Sequence, residues 1–107
     1  MAKSPYNLIP LAEDVVKIEF VSTLVYPENY FLKDLLKHIE NNNAIKIIYL
    51  DFKECDFVDS SSIGIFIGFI RRVRPRKLKV FFQNASNYIQ EIFQVVNLSF
   101  LNEDNTP

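Results

Sequence analysis

One carboxylate followed by three hydroxyls, Asp59-Ser60-Ser61-Ser62, is the stretch of this chain best suited to chemistry. An aspartate ahead of an apolar run is a strong helix N-cap. Its carboxylate accepts hydrogen bonds from backbone N–H groups that the first helical turn leaves unpaired. The serines then fall at N1 to N3 of the helix. A serine at N1 points its hydroxyl outward, where another protein can reach it. A phosphate placed there would meet the positive end of the helix dipole, so the fold could accommodate it. Other candidates are few. His38 lies between Lys37 and Ile39 on a helix flank and reads as a surface residue, and Cys55 is the lone thiol. No histidine is placed by sequence to activate Ser60, and no Gly-x-Ser-x-Gly elbow occurs. The chain also has no glycine-rich phosphate loop and no paired metal-ligand spacing. The expectation is a protein that is not an enzyme and holds no metal or cofactor of its own.

Composition bounds the rest. The 107 residues suit one domain with a modest core. Apolar residues make up 49% and charged residues 23%, which is ordinary for a globular chain. A net charge of −1 gives no global field towards nucleic acid or anionic membrane. One cysteine rules out an intramolecular disulfide and a multi-cysteine metal site, and fits a reducing cytoplasm. The start shows no basic region followed by an apolar one, so no signal peptide is expected. The longest uncharged apolar run, Ile63 to Ile70, is too short to span a bilayer.

The elements that must position Asp59 follow from periodicity. Met1 to Asn7 is polar and expected to be loose. Leu8 to Leu11 reads as a short edge strand, since Pro10 argues against a central place. Glu13-Asp14 is a turn. Val15 to Val21 alternates, with Val16, Ile18 and Phe20 on one face. Pro27 fits a helix start, with Glu28 near its positive end. That helix runs to about Glu40, its apolar face made by Phe31, Leu35 and Ile39 beside Leu32 and Leu36. Ile45 to Phe52 reads as a central strand covered on both faces. A second helix spans about Ser60 to Val73, with Ile63, Phe66, Ile67, Ile70 and Val73 as its core stripe. Arg74-Pro75-Arg76 ends it. Lys77 to Gln83 is a third strong strand. Asn84 to Ser86 then caps a last helix over about Asn87 to Val96, with Ile89, Ile92, Phe93 and Val96 inward and Asn97 at its end. Leu98 to Leu101 adds some packing, and Asn102 to Pro107 is a frayed tail. Alternation of strands and helices implies βαβ units and a mostly parallel sheet. The segments Ile45–Phe52 and Lys77–Gln83 should be neighbouring central strands, both adjacent to the helix that starts near Ser60.

Three features of the second helix and its end need a reading. Gly64 and Gly68 sit four apart on one side, which suggests close packing of the helix backbone on the sheet or a neighbouring helix. Ile65 and Phe69 fall away from the core stripe, towards the side of Ser62. Either the helix is buried nearly all round, or these two form an exposed apolar patch one to two turns from Ser60, of the kind that marks a partner surface. Arg71, Arg72, Arg74, Arg76, Lys77 and Lys79 form a basic cluster. Without interleaved aromatics it reads as a complement to the helix C-terminal dipole and not as a nucleic-acid surface.

Asp59-Ser60-Ser61, followed by Ile63-Gly64-x-x-x-Gly68 and preceded by Leu50-Asp51-Phe52 and Asp56-Phe57-Val58, resembles the STAS domains of anti-anti-sigma factors (anti-sigma factor antagonists). The resemblance covers roughly Leu8 to Phe100. It implies an α/β fold with a four- to five-stranded mostly parallel sheet and three helices packed mainly on one face. It implies a single STAS domain over residues 1–107, with a core of about 8–100. In that family the serine directly after the Asp is phosphorylated by a partner kinase that is also the anti-sigma factor; here that serine is Ser60. Asp59, Ser61 and Ser62 complete the motif. Ile65, Phe69, Gly64 and Gly68 are the candidate partner-binding residues.

Three positions depart from the family pattern. Ser62 stands where Gly is usual, Val21-Ser22-Thr23-Leu24-Val25 replaces a loop that often carries Gly and an acidic residue, and Arg74-Pro75-Arg76 replaces a Gly-containing turn. The implied protein is a cytoplasmic regulator, a monomer or weak homodimer. Its partner would be a serine-kinase anti-sigma factor or a related regulatory protein, with ATP belonging to that kinase. The alternatives are a constitutive scaffold subunit of a larger signalling or transport assembly, never phosphorylated, or an accessory domain that handles a small ligand or lipid.

Overall fold

The computed structural model of the chain describes residues 4–95. The expectations for Val96, for Asn97 as a helix end, for packing by Leu98 to Leu101 and for a tail at 102–107 lie outside the described residues. The elements run β1 (Tyr6–Ala12), β2 (Val15–Phe20), a 3-10 turn (Glu28–Tyr30), α1 (Phe31–Glu40), β3 (Ile47–Asp51), α2 (Ser60–Val73), a second 3-10 turn (Arg74–Arg76), β4 (Lys79–Gln83) and α3 (Asn87–Val95). The sheet order is β1-β2-β3-β4. The first pair is an antiparallel hairpin, and the other two pairs are parallel, joined by α1 and α2 as crossovers.

The strand β1 begins at Tyr6, inside the segment expected to be loose, because Tyr6 pairs with Phe20 and stacks on Phe31 at 5.2 Å. Pro10 sits on this edge strand, where a missing N–H costs no central ladder bond. The expected alternation of β2 holds, with Val16, Ile18 and Phe20 buried. Register carries that face across the sheet: Val16 pairs with Ile48 and Ile48 with Val80, while Ile18 pairs with Leu50 and Leu50 with Phe82. The opposite face brings Lys17 beside Tyr49 and Tyr49 beside Phe81, whose rings stack at 5.6 Å.

One expectation about the sheet is corrected. β3 and β4 are neighbours, but only β3 is central; β4 is the last strand of the order among the described residues. Its run Val80-Phe81-Phe82 looks central because both faces carry large apolar groups. Val80 and Phe82 fill the core, and Phe81 finds Tyr49 on the other side.

Phe66 fixes α2 over the sheet. Its ring lies 5.8 Å from Phe20, 6.0 Å from Phe52 and 5.9 Å from Phe93, all tilted edge-on. Edge-to-face pairs of this kind each add about 0.5–1.5 kcal/mol beyond burial. Phe93 of α3 also meets Phe82 at 4.6 Å, so β4 and α3 close on the same cluster. The helix α1 packs beside α2 and buries Leu32, Leu35, Leu36 and Ile39. Its C-terminal end takes up part of the basic cluster. Arg72 Nε donates to Glu40 Oε1 at 2.9 Å and Arg76 Nη1 donates to the Glu40 carbonyl at 2.6 Å.

Candidate functional site

Two loops meet at the N-terminus of α2. Leu24, in the connection after β2, forms a parallel bridge with Val58, in the connection after β3. Leu24 N–H donates to Phe57 O at 3.0 Å, and Asp59 N–H donates to Leu24 O at 2.9 Å. Leu24 and Val58 are both buried, so this bridge seats Asp59 where α2 begins.

Asp59 is the N-cap. Its φ of −84° and ψ of 174° are extended, and Oδ1 accepts from Ser62 N–H at 2.9 Å. The same oxygen accepts from Ser61 Oγ at 2.8 Å, and Oδ2 accepts from Tyr26 N–H at 2.8 Å. The Tyr26 N–H does most to lower its pKa, to about 2 from 3.8; desolvation opposes it, and Ser62 N–H and Ser61 add to the lowering. The carboxylate is therefore charged throughout the neutral range.

The three serines differ. Ser62 is fully buried; its Oγ donates to Leu24 O at 3.0 Å and accepts from Asn29 Nδ2 at 2.6 Å. Ser61 donates to Asp59 and accepts from Asn29 Nδ2 at 2.9 Å. Ser60, at N1, is exposed, and its hydroxyl makes no hydrogen bond to the described residues. The helix geometry leaves the first N–H groups of α2 without intrahelical acceptors, so the ground around Ser60 Oγ favours an anion.

Beside Ser60 runs a cleft of about 460 Å³ between α2 and α3, lined by Ser60, Ile63, Gly64, Ile67, Tyr88 and Ile92, with Glu91 at its edge. Tyr88 stacks on Phe57 at 5.6 Å and 9°, and both rings are exposed by more than two-fifths. The cleft corrects the expected face of α2. Phe69 is fully buried and Ile65 half-buried, so they form no exposed patch. The core stripe is Ser62, Phe66, Phe69, Ile70 and Val73, while Ile63 and Ile67 are half-exposed towards α3. The reason is composition: large apolar residues cover more than half the circumference of α2, and the contacts of Phe66 with the sheet select which part faces inward.

The glycines are corrected too. A Cβ on Gly64 would meet nothing within 4 Å, and one on Gly68 would meet only the Arg72 side chain at 3.3 Å. Neither residue serves close backbone packing inside the fold.

Asn29, Tyr26 and Tyr88 were not singled out from sequence. Asn29 sits in a Pro-Glu-Asn-Tyr turn that looks solvated, yet it is 3% exposed. One available signal was Ser62 itself, since a serine placed in a helix's first turn above a core carries a hydroxyl in need of partners. Cys55 is buried, with its thiol pushed up to about 11 chiefly by burial, and His38 is exposed on α1, well separated in the fold from Asp59. No helix among the described residues is long and apolar enough to cross a membrane.

No curated protein sequence matches the chain. Solved structures do. The anti-sigma factor antagonist SpoIIAA in its unphosphorylated form aligns with a TM-score of 0.76 at 21% identity, over 94% of this chain and 88% of that one. The Bacillus cell fate determinant SpoIIAA in its phosphorylated form gives 0.77 at 21% identity, over 94% and 91%. A sulfate transporter family protein from Wolinella succinogenes gives 0.62 at 14% identity, over 92% and 79%. These likenesses establish the fold. The STAS domain model matches residues 8–106, nearly the whole sequence, and the chain belongs to the STAS domain family.

Proposed function

We propose that this STAS domain is a phosphorylation-switched regulatory binding protein, an anti-sigma factor antagonist, and not an enzyme. It binds a serine-kinase anti-sigma factor through the N-terminal end of α2 while Ser60 is unmodified, and releases it once Ser60 carries phosphate. The observation that carries this reading is the state of the three hydroxyls. Phosphate on Ser60 breaks no hydrogen bond, whereas on Ser61 it displaces the bonds to Asp59 and Asn29, and on Ser62 it would have to enter the core. The neighbouring cleft offers the partner an apolar seat. Gly64, with open space above it, lets a partner's backbone approach closely.

Charge makes the switch work. The segments that meet here, 21–30, 54–62 and 84–91, hold Glu28, Glu54, Asp56, Asp59 and Glu91 and no lysine or arginine. A phosphate on Ser60 would find helix N–H groups but no cation in these segments, so its charge of about −1.5 to −2 faces the partner. Added charge and bulk in a docked surface cost several kcal/mol, on the order of a hundredfold in affinity. Calorimetry with the purified partner kinase tests this: Ser60→Asp folds normally and loses that affinity, while Ser60→Ala binds as wild type. If Ser60→Asp binds as tightly as wild type, the constitutive scaffold is the better account. The likeness to a sulfate transporter family protein supports that second reading.

A further inference from the structure

We infer that Asn29 sets which serine is open to modification, by holding the hydroxyls of Ser61 and Ser62 and leaving that of Ser60 free. The inference rests on the switch reading above and adds the residue that gives it site selectivity.

Proton bookkeeping fixes the geometry. A serine hydroxyl has one proton to donate. The Ser61 proton goes to Asp59 Oδ1 and the Ser62 proton to Leu24 O. Both oxygens therefore turn lone pairs towards Asn29, which must answer with its NH2 and not its carbonyl. The two N–H bonds of Nδ2 reach Ser61 Oγ at 2.9 Å and Ser62 Oγ at 2.6 Å. Asn29 is itself fixed, being 3% exposed with its backbone N–H on Val25 O at 2.8 Å.

The consequence is chemical and not steric. Ser61 is exposed by area, as Ser60 is, so exposure alone does not separate them. Transfer of phosphate from MgATP forms an Oγ–P bond as the bond from the γ-phosphorus to the bridging oxygen of ADP breaks. The hydroxyl proton passes to a base of the kinase, and ADP leaves. The attack needs a free lone pair on Oγ and a proton that can leave. At Ser61 the bond from Asn29 takes one of the two lone pairs and the bond to Asp59 takes the proton, so Oγ is held in place and must break free of both to attack. At Ser60 neither is engaged.

The test uses the whole chain and two variants that leave all three serines in place. Asn29→Ala removes the donors. Asn29→Asp keeps the shape but sets acceptor oxygens against two oxygens whose protons are already given away. Each chain is incubated with MgATP and the serine kinase encoded nearest its gene, and the phosphate is located by mass spectrometry. Wild type should carry it at Ser60 alone. Without that hydrogen bond, modification of Ser61 should rise roughly fivefold or more above its wild-type level in both variants. Ser60→Ala should take none, and Ser60→Ala combined with Asn29→Ala should take it on Ser61.

A second measurement needs no kinase. In NMR spectra of wild type, the Ser61 and Ser62 hydroxyl protons should exchange with water far more slowly than that of Ser60; Asn29→Ala should speed exchange at exposed Ser61, which loses one of its two tethers, and leave buried Ser62, still bonded to Leu24 O, slow. The inference is overturned if Asn29→Ala is still modified at Ser60 alone, or if it leaves the exchange of the Ser61 hydroxyl proton unchanged. A wild-type chain that takes no phosphate refutes the switch, and the exchange measurement then judges Asn29 by itself.

Discussion

Replacing Asp59 by alanine removes three acceptor contacts at once. Oδ1 caps α2 through Ser62 N–H and takes the Ser61 proton, and Oδ2 ties the Tyr26 backbone to the start of the helix. Loss of an N-cap costs about 1 kcal/mol. The Tyr26 tie, a bond to a charged group at the surface, adds about 1 kcal/mol more. The expected total is about 2 kcal/mol, which in a domain of this size lowers the melting temperature by about 10 °C. Urea denaturation is the assay: the midpoint should fall with m unchanged. Asp59→Asn keeps one acceptor oxygen but turns an NH2 towards another donor, so it should fall about halfway between. An Asp59→Ala midpoint equal to wild type would mean that the carboxylate neither caps α2 nor holds the loop after β2.

Three further expectations follow from the same structure. Asp59 titrates near 2 in the folded chain against 3.8 for the free group, so its contribution is complete above about pH 4 and is lost as pH falls through about 2; acid titration of stability should show this loss in wild type and a shallower one in Asp59→Ala. Burial raises the Asp51 pKa, but hydrogen bonds from Asn84, the Lys53 N–H and Lys17 outweigh it, so its contribution is lost in the same direction. Gly64→Ala should raise stability by up to about 1 kcal/mol, since its methyl meets nothing, while weakening the partner by filling the cleft; a thermal melt and a binding titration check the two halves. Phe69→Ala should cost about 3–5 kcal/mol in chemical denaturation, as a core deletion does, and a surface-like loss below about 1 kcal/mol would show that the residue is not buried in solution.

Much of the site was legible because it is local. Asp59 before three serines and an apolar run states an N-cap, and strand alternation at Val16, Ile18 and Phe20 states a buried face. What was not legible depends on residues far apart in the chain. The inward side of α2 could not be read from a helix carrying Ile63, Ile65, Phe66, Ile67, Phe69 and Ile70, since periodicity discriminates poorly when apolar residues cover more than half the circumference. Only the ring contacts of Phe66 across β2, β3's end and α3 decide it. Asn29 meets Ser61 from 32 residues away, and no local pattern marks that meeting. The edge position of β4 likewise depends on what lies beside it and not on its own sequence.

The central claim is that Ser60, with a free hydroxyl at the first position of α2, is the switch. Its most direct test is the position of the phosphate on the native protein, read by fragmentation mass spectrometry of the peptide spanning Asp59 to Arg71. Phosphate on Ser60, present in the form that fails to bind the partner kinase and absent from the form that binds, is the predicted result. Phosphate on Ser61 or Ser62, or binding that is indifferent to phosphate on Ser60, would contradict it.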